Sequence, residues 1–219
     1  MPLKQVKLST AGLLEGLPPI IRALAEQGTI RQYRANAMLI TEGDYGGTVF
    51  VILDGMLRVY CSDASGREIT LALYGRGEYV GEMSLDGGPR SANVSAECAT
   101  VCACISGSAL RQHVATHPDF ALELIQRLIG RARLATENAR SLALLDAYGR
   151  LARLLNALSV QHDGSQGIVE ERLTHLAIAK RIGCSRELVS RILRDLENGG
   201  FISFENRQVV IHKRLPPKW

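Results

Sequence analysis

Residues 183–194, Gly-Cys-Ser-Arg-Glu-Leu-Val-Ser-Arg-Ile-Leu-Arg, carry side chains of the types suited to DNA base edges. A guanidinium matches the two acceptors of guanine, and a carboxylate accepts from the cytosine amino group. Arg186, Glu187 and Arg191 are therefore candidate base readers, with Ser190 and Arg194 on the same side. Leu188, Ile192 and Leu196 recur at helical spacing with Val189 and Leu193 beside them, so the opposite side packs inward. Ser185 is placed to cap this helix by taking its first orphan N–H groups. Leu173–Ile182 reads as a preceding helix whose packing candidates are Leu176, Ala177, Ala179 and Ile182. Gly183 permits the tight turn between the two helices. Thr174 and His175, at the start of that first helix, join Ser185 and Ser190 in the candidate DNA-contacting set. The competing reading is a plain surface helical hairpin with a solvated basic face.

Asn198-Gly199-Gly200 ends the second helix. Residues 201–204 and 209–211 then read as two short strands around Glu205-Asn206-Arg207-Gln208, a hairpin with a loop slightly longer than the tightest type. A helix-turn-helix followed by a hairpin is a winged DNA-binding module. Lys213, Arg214 and Lys218 follow it, either as phosphate contacts or as a solvated tail.

A second constellation lies upstream. Gly75, Gly77, Gly81, Gly87 and Gly88 crowd the stretch before Arg90-Ser91-Ala92. Glycines let backbone N–H groups approach an anion closely. Arg90 offers a planar fork for phosphate, and Ser91 adds a hydroxyl. Glu82 repels phosphate but accepts from sugar hydroxyls. Together with Gly81, these residues describe a ribose-phosphate pocket; alone, a Gly/Arg loop is more often a surface turn.

Several elements must position these groups. Short strands with turn punctuation run from about residue 31 to 106 and suggest a β-barrel or roll. Asp54-Gly55 signals a hairpin joining strands 48–53 and 56–61. Pro118 starts a long helix reaching about Leu145. Its Ala121, Ile125, Leu128, Ala132, Ala135, Ala139 and Leu142 repeat in 4-3 steps, the seam of a parallel coiled-coil dimer. The alternative is a helix buried against its own barrel.

Charge is distributed unevenly. Residues 140–219 hold 13 Lys/Arg against 8 Asp/Glu, while the whole chain carries only +4. The positive excess lies with the candidate DNA reader and suits a polyanion partner. No segment approaches transmembrane length, and the Lys4 and Lys7 region has no apolar stretch of signal-peptide size, so a cytoplasmic location without membrane contact is expected. The five cysteines make a disulfide framework unexpected. Cys98, Cys102 and Cys104 share parity and would face one way on a regular strand, as small buried hydrophobes or, less readily, as a sensing group. No catalytic constellation and no metal site is expected.

The Gly183-Cys184-Ser185-Arg186-Glu187 run with Arg191 resembles the recognition helix of the bacterial catabolite-activator and fumarate–nitrate-regulator family of transcription regulators. The run Gly81-Glu82-Met83-Ser84-Leu85 with Arg90-Ser91-Ala92 resembles the phosphate-binding cassette of its cyclic-nucleotide domains. The resemblance covers about residues 30–213. It implies that Arg186 reads a guanine, that Arg191 reads a guanine or its neighbour, that Glu187 reads a cytosine, that Glu82 meets the ribose 2′-hydroxyl, and that Arg90 and Ser91 meet the cyclic phosphate. On the long helix it assigns the base contact to Thr136, beside Ala135, where the cAMP-responsive branch has a second hydroxyl. The first-helix arginine of that branch is His175 here.

The expectation is thus an α+β protein with three parts. Residues 1–117 hold an N-terminal helical segment and a cyclic-nucleotide-binding β-roll, 118–145 form a dimerisation helix, and 146–219 form a winged helix-turn-helix. The expected activity is that of a homodimeric regulator binding a palindromic operator, with RNA polymerase as a further partner implied by the family. The expected effector is cAMP, with cyclic di-GMP or no effector as alternatives. A cyclic-nucleotide-binding scaffold that reads no DNA is the alternative of another class.

Overall fold

The computed structural model describes residues 10–162, 166–206 and 208–216; Lys4, Lys7, Arg207 and Lys218 lie outside them. The chain packs into two compact units, Met1–Cys61 with Leu71–Ala132 and Ser62–Thr70 with Arg133–Trp219. In chain order the elements are α1 (Thr10–Leu14), α2 (Pro19–Ala25), β1 (Thr29–Tyr33), β2 (Met38–Ile40), β3 (Val49–Asp54), β4 (Leu57–Ser62), β5 (Glu68–Tyr74), β6 (Tyr79–Val80), a 3-10 turn (Glu82–Asp86), β7 (Asn93–Ala96), β8 (Thr100–Ile105), α3 (Gly107–Thr116) and α4 (Pro118–Leu144). There follow α5 (Ala147–Leu158), β9 (Ser159–His162), β10 (Gln166–Val169), α6 (His175–Ile182), α7 (Arg186–Asn198), β11 (Ile202–Glu205) and β12 (Gln208–Ile211).

The first unit is a roll of two four-stranded sheets, ordered β1-β8-β3-β6 and β2-β7-β4-β5. β3 explains the layering. Its residues Val49 to Leu53 are all buried, and successive strand side chains point to opposite faces. Val49, Val51 and Leu53 join Ile21, Leu24, Leu110 and Phe120 from the helices. Phe50 and Ile52 join Ile40, Leu57, Val80, Val94 and Cys102 inside the roll. A strand apolar on both faces needs a cover on each side.

That demand overturns the hairpin expected at Asp54-Gly55. β3 pairs with β8 and β6, β4 pairs with β7, and the two flanking strands lie in different sheets. Gly55 carries the chain across this corner at φ +86°, where a Cβ would stand 2.5 Å from the Ala99 carbonyl oxygen. Thr100 Oγ1 pins the corner by accepting from the Met56 N–H at 3.1 Å.

Cys102 and Cys104 share the inner face of β8, with Cys102 fully buried, but Cys98 is exposed in the connection before that strand. Burial pushes the Cys102 thiol up to about 12, the behaviour of a small core hydrophobe.

The seam expected on α4 is solvent-facing. Within α4 only Phe120 and Leu124 are buried, while Ile125, Leu128 and Leu142 are 51%, 37% and 45% exposed. The reading of a helix buried against its own barrel therefore holds only for its first two turns.

In the second unit, α5, α6 and α7 pack on a four-stranded sheet ordered β11-β12-β10-β9. The sequence reading found β11 and β12 but not β9 and β10. Glu205 pairs with Gln208 across the wing, and Asn206 takes φ +51°, so the hairpin closes more tightly than expected. One packing expectation also fails: Leu176 is 51% exposed, and Ile178 is buried with Ala179 and Ile182. Leu176 lies two residues from Ile178, about 200° around the helix.

Candidate functional site

In the roll, Gly81 sits at φ +94°, and a Cβ there would stand 2.6 Å from the Thr48 carbonyl oxygen and 2.9 Å from Arg90 Nη1. This bare backbone lets the Arg90 guanidinium settle inside the protein, 8% exposed. Arg90 Nη1 donates to the Gly81 carbonyl and to Ser84 Oγ, each at 2.8 Å, and Nη2 donates to the Thr48 carbonyl at 2.8 Å. Burial pulls its pKa below the usual guanidinium range, against the opposing pull of Glu82. Guanidinium has five N–H donors. The Nε–H and the second Nη2–H find no acceptor among the described residues. Gly46 stands beside that edge, where its missing Cβ would be 3.6 Å from Nη2 and 3.9 Å from Nε. The edge is a two-donor fork suited to a phosphate or carboxylate.

Glu82, close enough to act on the Arg90 charge, is also buried, its side chain 1% exposed. Its Oε1 is ion-paired with Arg131 Nη1 from α4. Its Oε2 is buried and has no hydrogen-bond partner. A buried acceptor left unsatisfied costs about 1–3 kcal/mol, more when charged. An arriving hydroxyl donor would remove that penalty, so the chemistry of this atom fits a sugar. Arg131 also donates to the Tyr79 carbonyl, and its guanidinium carbon lies 4.4 Å from the Tyr74 ring centroid. Burial works against the Arg131 charge, but Glu82 and Tyr74 outweigh it and hold its pKa above the ordinary value. Tyr79, which packs on Phe120, donates its hydroxyl to Glu123 Oε2 at 2.9 Å.

Gly81, Glu82 and Arg90 are thus brought together. Ser91 is exposed, its hydroxyl 3.5 Å from Met83 Sδ, and does not join the buried network. Thr136 lies on the stretch of α4 that belongs to the second unit. Arg131, Tyr74 and Gly46 were missed. Arg131 stands 49 residues from its carboxylate, and the one signal available was an arginine next to Ala132 in the apolar seam.

The candidate nucleic-acid interface is built by helix caps. Thr174 Oγ1 accepts from the Ala177 N–H at 3.1 Å and starts α6. Gly183 ends it at φ +64°, ψ +51°. Ser185 Oγ accepts from the Leu188 N–H at 3.2 Å and starts α7. Both cap hydroxyls accept in these bonds and keep their protons for other partners. Val189, Ile192, Leu193 and Leu196 anchor α7 inside, which leaves Arg186, Glu187, Arg191 and Arg194 exposed. Ser190 is half-buried and holds His175: its Oγ lies 2.8 Å from His175 Nδ1. Arg150 ties α5 to this motif by donating to the Ile182 carbonyl at 2.7 Å and the Leu145 carbonyl at 2.8 Å. Lys213 lies over the Phe201 ring, 5.8 Å from its centroid.

Among the described residues no cluster of three His, Cys, Asp or Glu is arranged for a metal ion, and no helix is long and apolar enough to cross a membrane.

Comparison with known proteins finds two domain families in the chain. A cyclic nucleotide-binding domain family matches residues 30–117, and a Crp-like helix-turn-helix domain family matches residues 149–215. The chain is 33% identical over 187 residues to the cAMP-activated global transcriptional regulator CRP of Salmonella typhimurium, covering 84% of this chain and 89% of that protein. It is 29% identical to the CRP-like cAMP-activated global transcriptional regulator of Mycobacterium tuberculosis, over 93% of each. Among solved structures, the c-di-GMP responsive global regulator CLP of Xanthomonas campestris superposes with a TM-score of 0.76 at 26% identity, covering 88% of this chain and 98% of that one. This chain therefore belongs to the CRP/FNR family of transcription regulators, with a cyclic nucleotide-binding domain followed by a helix-turn-helix DNA-binding domain.

Proposed function

We propose that this protein is a homodimeric, sequence-specific DNA-binding regulator gated by a cyclic nucleotide, with cAMP as the first candidate. The observation that carries the ligand reading is the unpartnered Glu82 Oε2 in the same loop as Arg90, two of whose N–H groups find no acceptor among the described residues. Glu82 accepts from a ribose hydroxyl, Arg90 and Ser91 hold the cyclic phosphate, and Thr136 contacts the base. Arg186 and Arg191 read guanines and Glu187 a cytosine, while Thr174, His175, Ser185 and Ser190 set the two helices on the backbone and groove. The exposed apolar residues Ile125, Leu128 and Leu142 supply the dimer seam, which matches two recognition helices to a palindrome. The ligand acts by favouring one arrangement of the pair over the other. This reading has the protein act in the cytoplasm with RNA polymerase as a further partner.

Cyclic di-GMP is the second reading, favoured by the likeness to a regulator described as responsive to it. Calorimetric titration with cAMP, cGMP and cyclic di-GMP decides between them. Loss of the Arg90 fork removes two charge-assisted hydrogen bonds, so Arg90→Ala is expected to weaken binding about 100-fold or more. No binding by any of the three nucleotides sinks the gating and favours an effector-independent regulator. DNA reading is tested separately, on duplexes that the protein selects from a random pool. Arg186→Ala and Arg191→Ala are each expected to lose about 1–3 kcal/mol of specific binding; unchanged binding in both removes the assignment.

A further inference from the structure

His175 opens α6, next to the Thr174 cap, and its ring is held from two other elements. Its Nδ1 lies 2.8 Å from Ser190 Oγ on α7. The Phe204 ring of β11 stands 6.2 Å away, centroid to centroid. Ser190 donates its one hydroxyl proton to the Arg186 carbonyl at 3.0 Å. A hydroxyl that has donated its proton can only accept from the ring. The proton of neutral His175 is therefore on Nδ1, and Nε2 carries a lone pair. A second proton on Nε2 would turn that acceptor into a cationic donor without moving the ring.

Resting on the DNA-binding role of this motif, we infer that the His175–Ser190 pair is a proton-linked phosphate clamp: DNA binding takes up one proton per protomer at His175 Nε2. A DNA phosphate stabilises the imidazolium and has nothing to donate to a lone pair. The sign follows. Affinity is highest when the imidazole is protonated and falls as pH rises. The charged and titratable groups on the surrounding elements are Arg186, Glu187, Arg191, Arg194, Asp195 and Glu197 on α7, Glu205 on β11, and His212 just after β12. On α6 itself Lys180 and Arg181 each hold an ion pair. Of these side-chain types, histidine alone ordinarily changes charge between pH 5 and 8. The one competing histidine here is His212, whose Nε2 is 2.8 Å from Ser203 Oγ.

The test uses the full-length protein and a duplex that it selects from a random pool. Affinity and its salt dependence are measured by fluorescence anisotropy at about pH 5.8 and about pH 8.0. Wild type is expected to bind roughly tenfold tighter at the lower pH, with a salt slope steeper by about two per dimer. His175→Gln abolishes both differences, and His175→Arg gives the steeper slope at both pH values. Ser190→Ala, which frees the ring, brings the affinity ratio toward one, and His212→Gln leaves the ratio as in wild type. Thermal melting of each variant checks that it is folded. The proposal falls if wild type binds its duplex equally at both pH values, if His175→Gln keeps the wild-type ratio, or if His212→Gln removes it. If no duplex is selected at all, the DNA-binding role fails and this inference fails with it.

Discussion

Glu82 in the roll and Glu187 on α7 are the same side chain put to opposite uses. Glu82 is sealed from water, with one oxygen on Arg131 and the other without a donor. Glu187 stands exposed in the first turn of a helix whose other side is apolar. The arginines divide in the same way. Arg90 is buried against three protein acceptors, whereas Arg186, Arg191 and Arg194 are exposed. A small ligand must be met by aimed groups in a place that water has left, and low dielectric makes every unmatched atom expensive. A polyanion is met at a wet surface, where each charge contributes separately and salt screens it.

The largest effect that can break this comparison is on stability. Removing Glu82 leaves Arg131 buried without its counter-charge, so Glu82→Ala is expected to destabilise the fold by about 3–5 kcal/mol in urea unfolding. Arg191→Ala, on the exposed face, is expected to change stability by about 0.5 kcal/mol or less. Equal losses in the two variants would mean that the buried pair is not the stressed one.

A smaller effect sharpens the surface side. Ser185→Ala removes the cap of α7 and is expected to lower stability by about 1 kcal/mol. DNA affinity should fall further than stability accounts for, because the recognition helix frays where Arg186 sits. If circular dichroism melting is unaffected, the Ser185 hydroxyl is not acting as a cap.

The smallest effect concerns His113, buried between Gln27 and His117. Burial first, and the neighbouring His117 second, hold its pKa below the ordinary histidine value. The unfolded chain takes up a proton as pH falls through about 6.5, while folded His113 does so only at lower pH. Stability therefore drops as pH falls through that window. His113→Gln should flatten the drop in Tm; an unchanged slope would mean that His113 is not its source.

The helix-turn-helix half was legible because its signals are local. Ser185, Gly183 and the Leu188–Leu196 stripe act within one or two turns of where they stand, and capping and helical periodicity need no distant partner. The ligand half was legible only in part. Gly81, Glu82 and Arg90 lie within ten residues and were read together. Their partners could not be, since Thr48 approaches from 42 residues away and Arg131 from 49. The exchange of sheets at Gly55 was hidden for a similar reason: Asp54-Gly55 has the local chemistry of a hairpin, and only the need to cover both faces of β3 sends the chain across to the other sheet.

Sequence alone determined which side chains are available: a basic helix with its caps, a glycine-rich loop with a carboxylate and a fork, and an apolar seam on a long helix. Tertiary structure alone decided their state. It buried Glu82 with one oxygen unmatched, left one edge of Arg90 open, placed Ser91 outside the buried network and set Ser190 against His175. The physical reason is range. Propensity, capping and periodicity act over a few residues, whereas burial and hydrogen-bond matching depend on segments that meet only when the chain has folded.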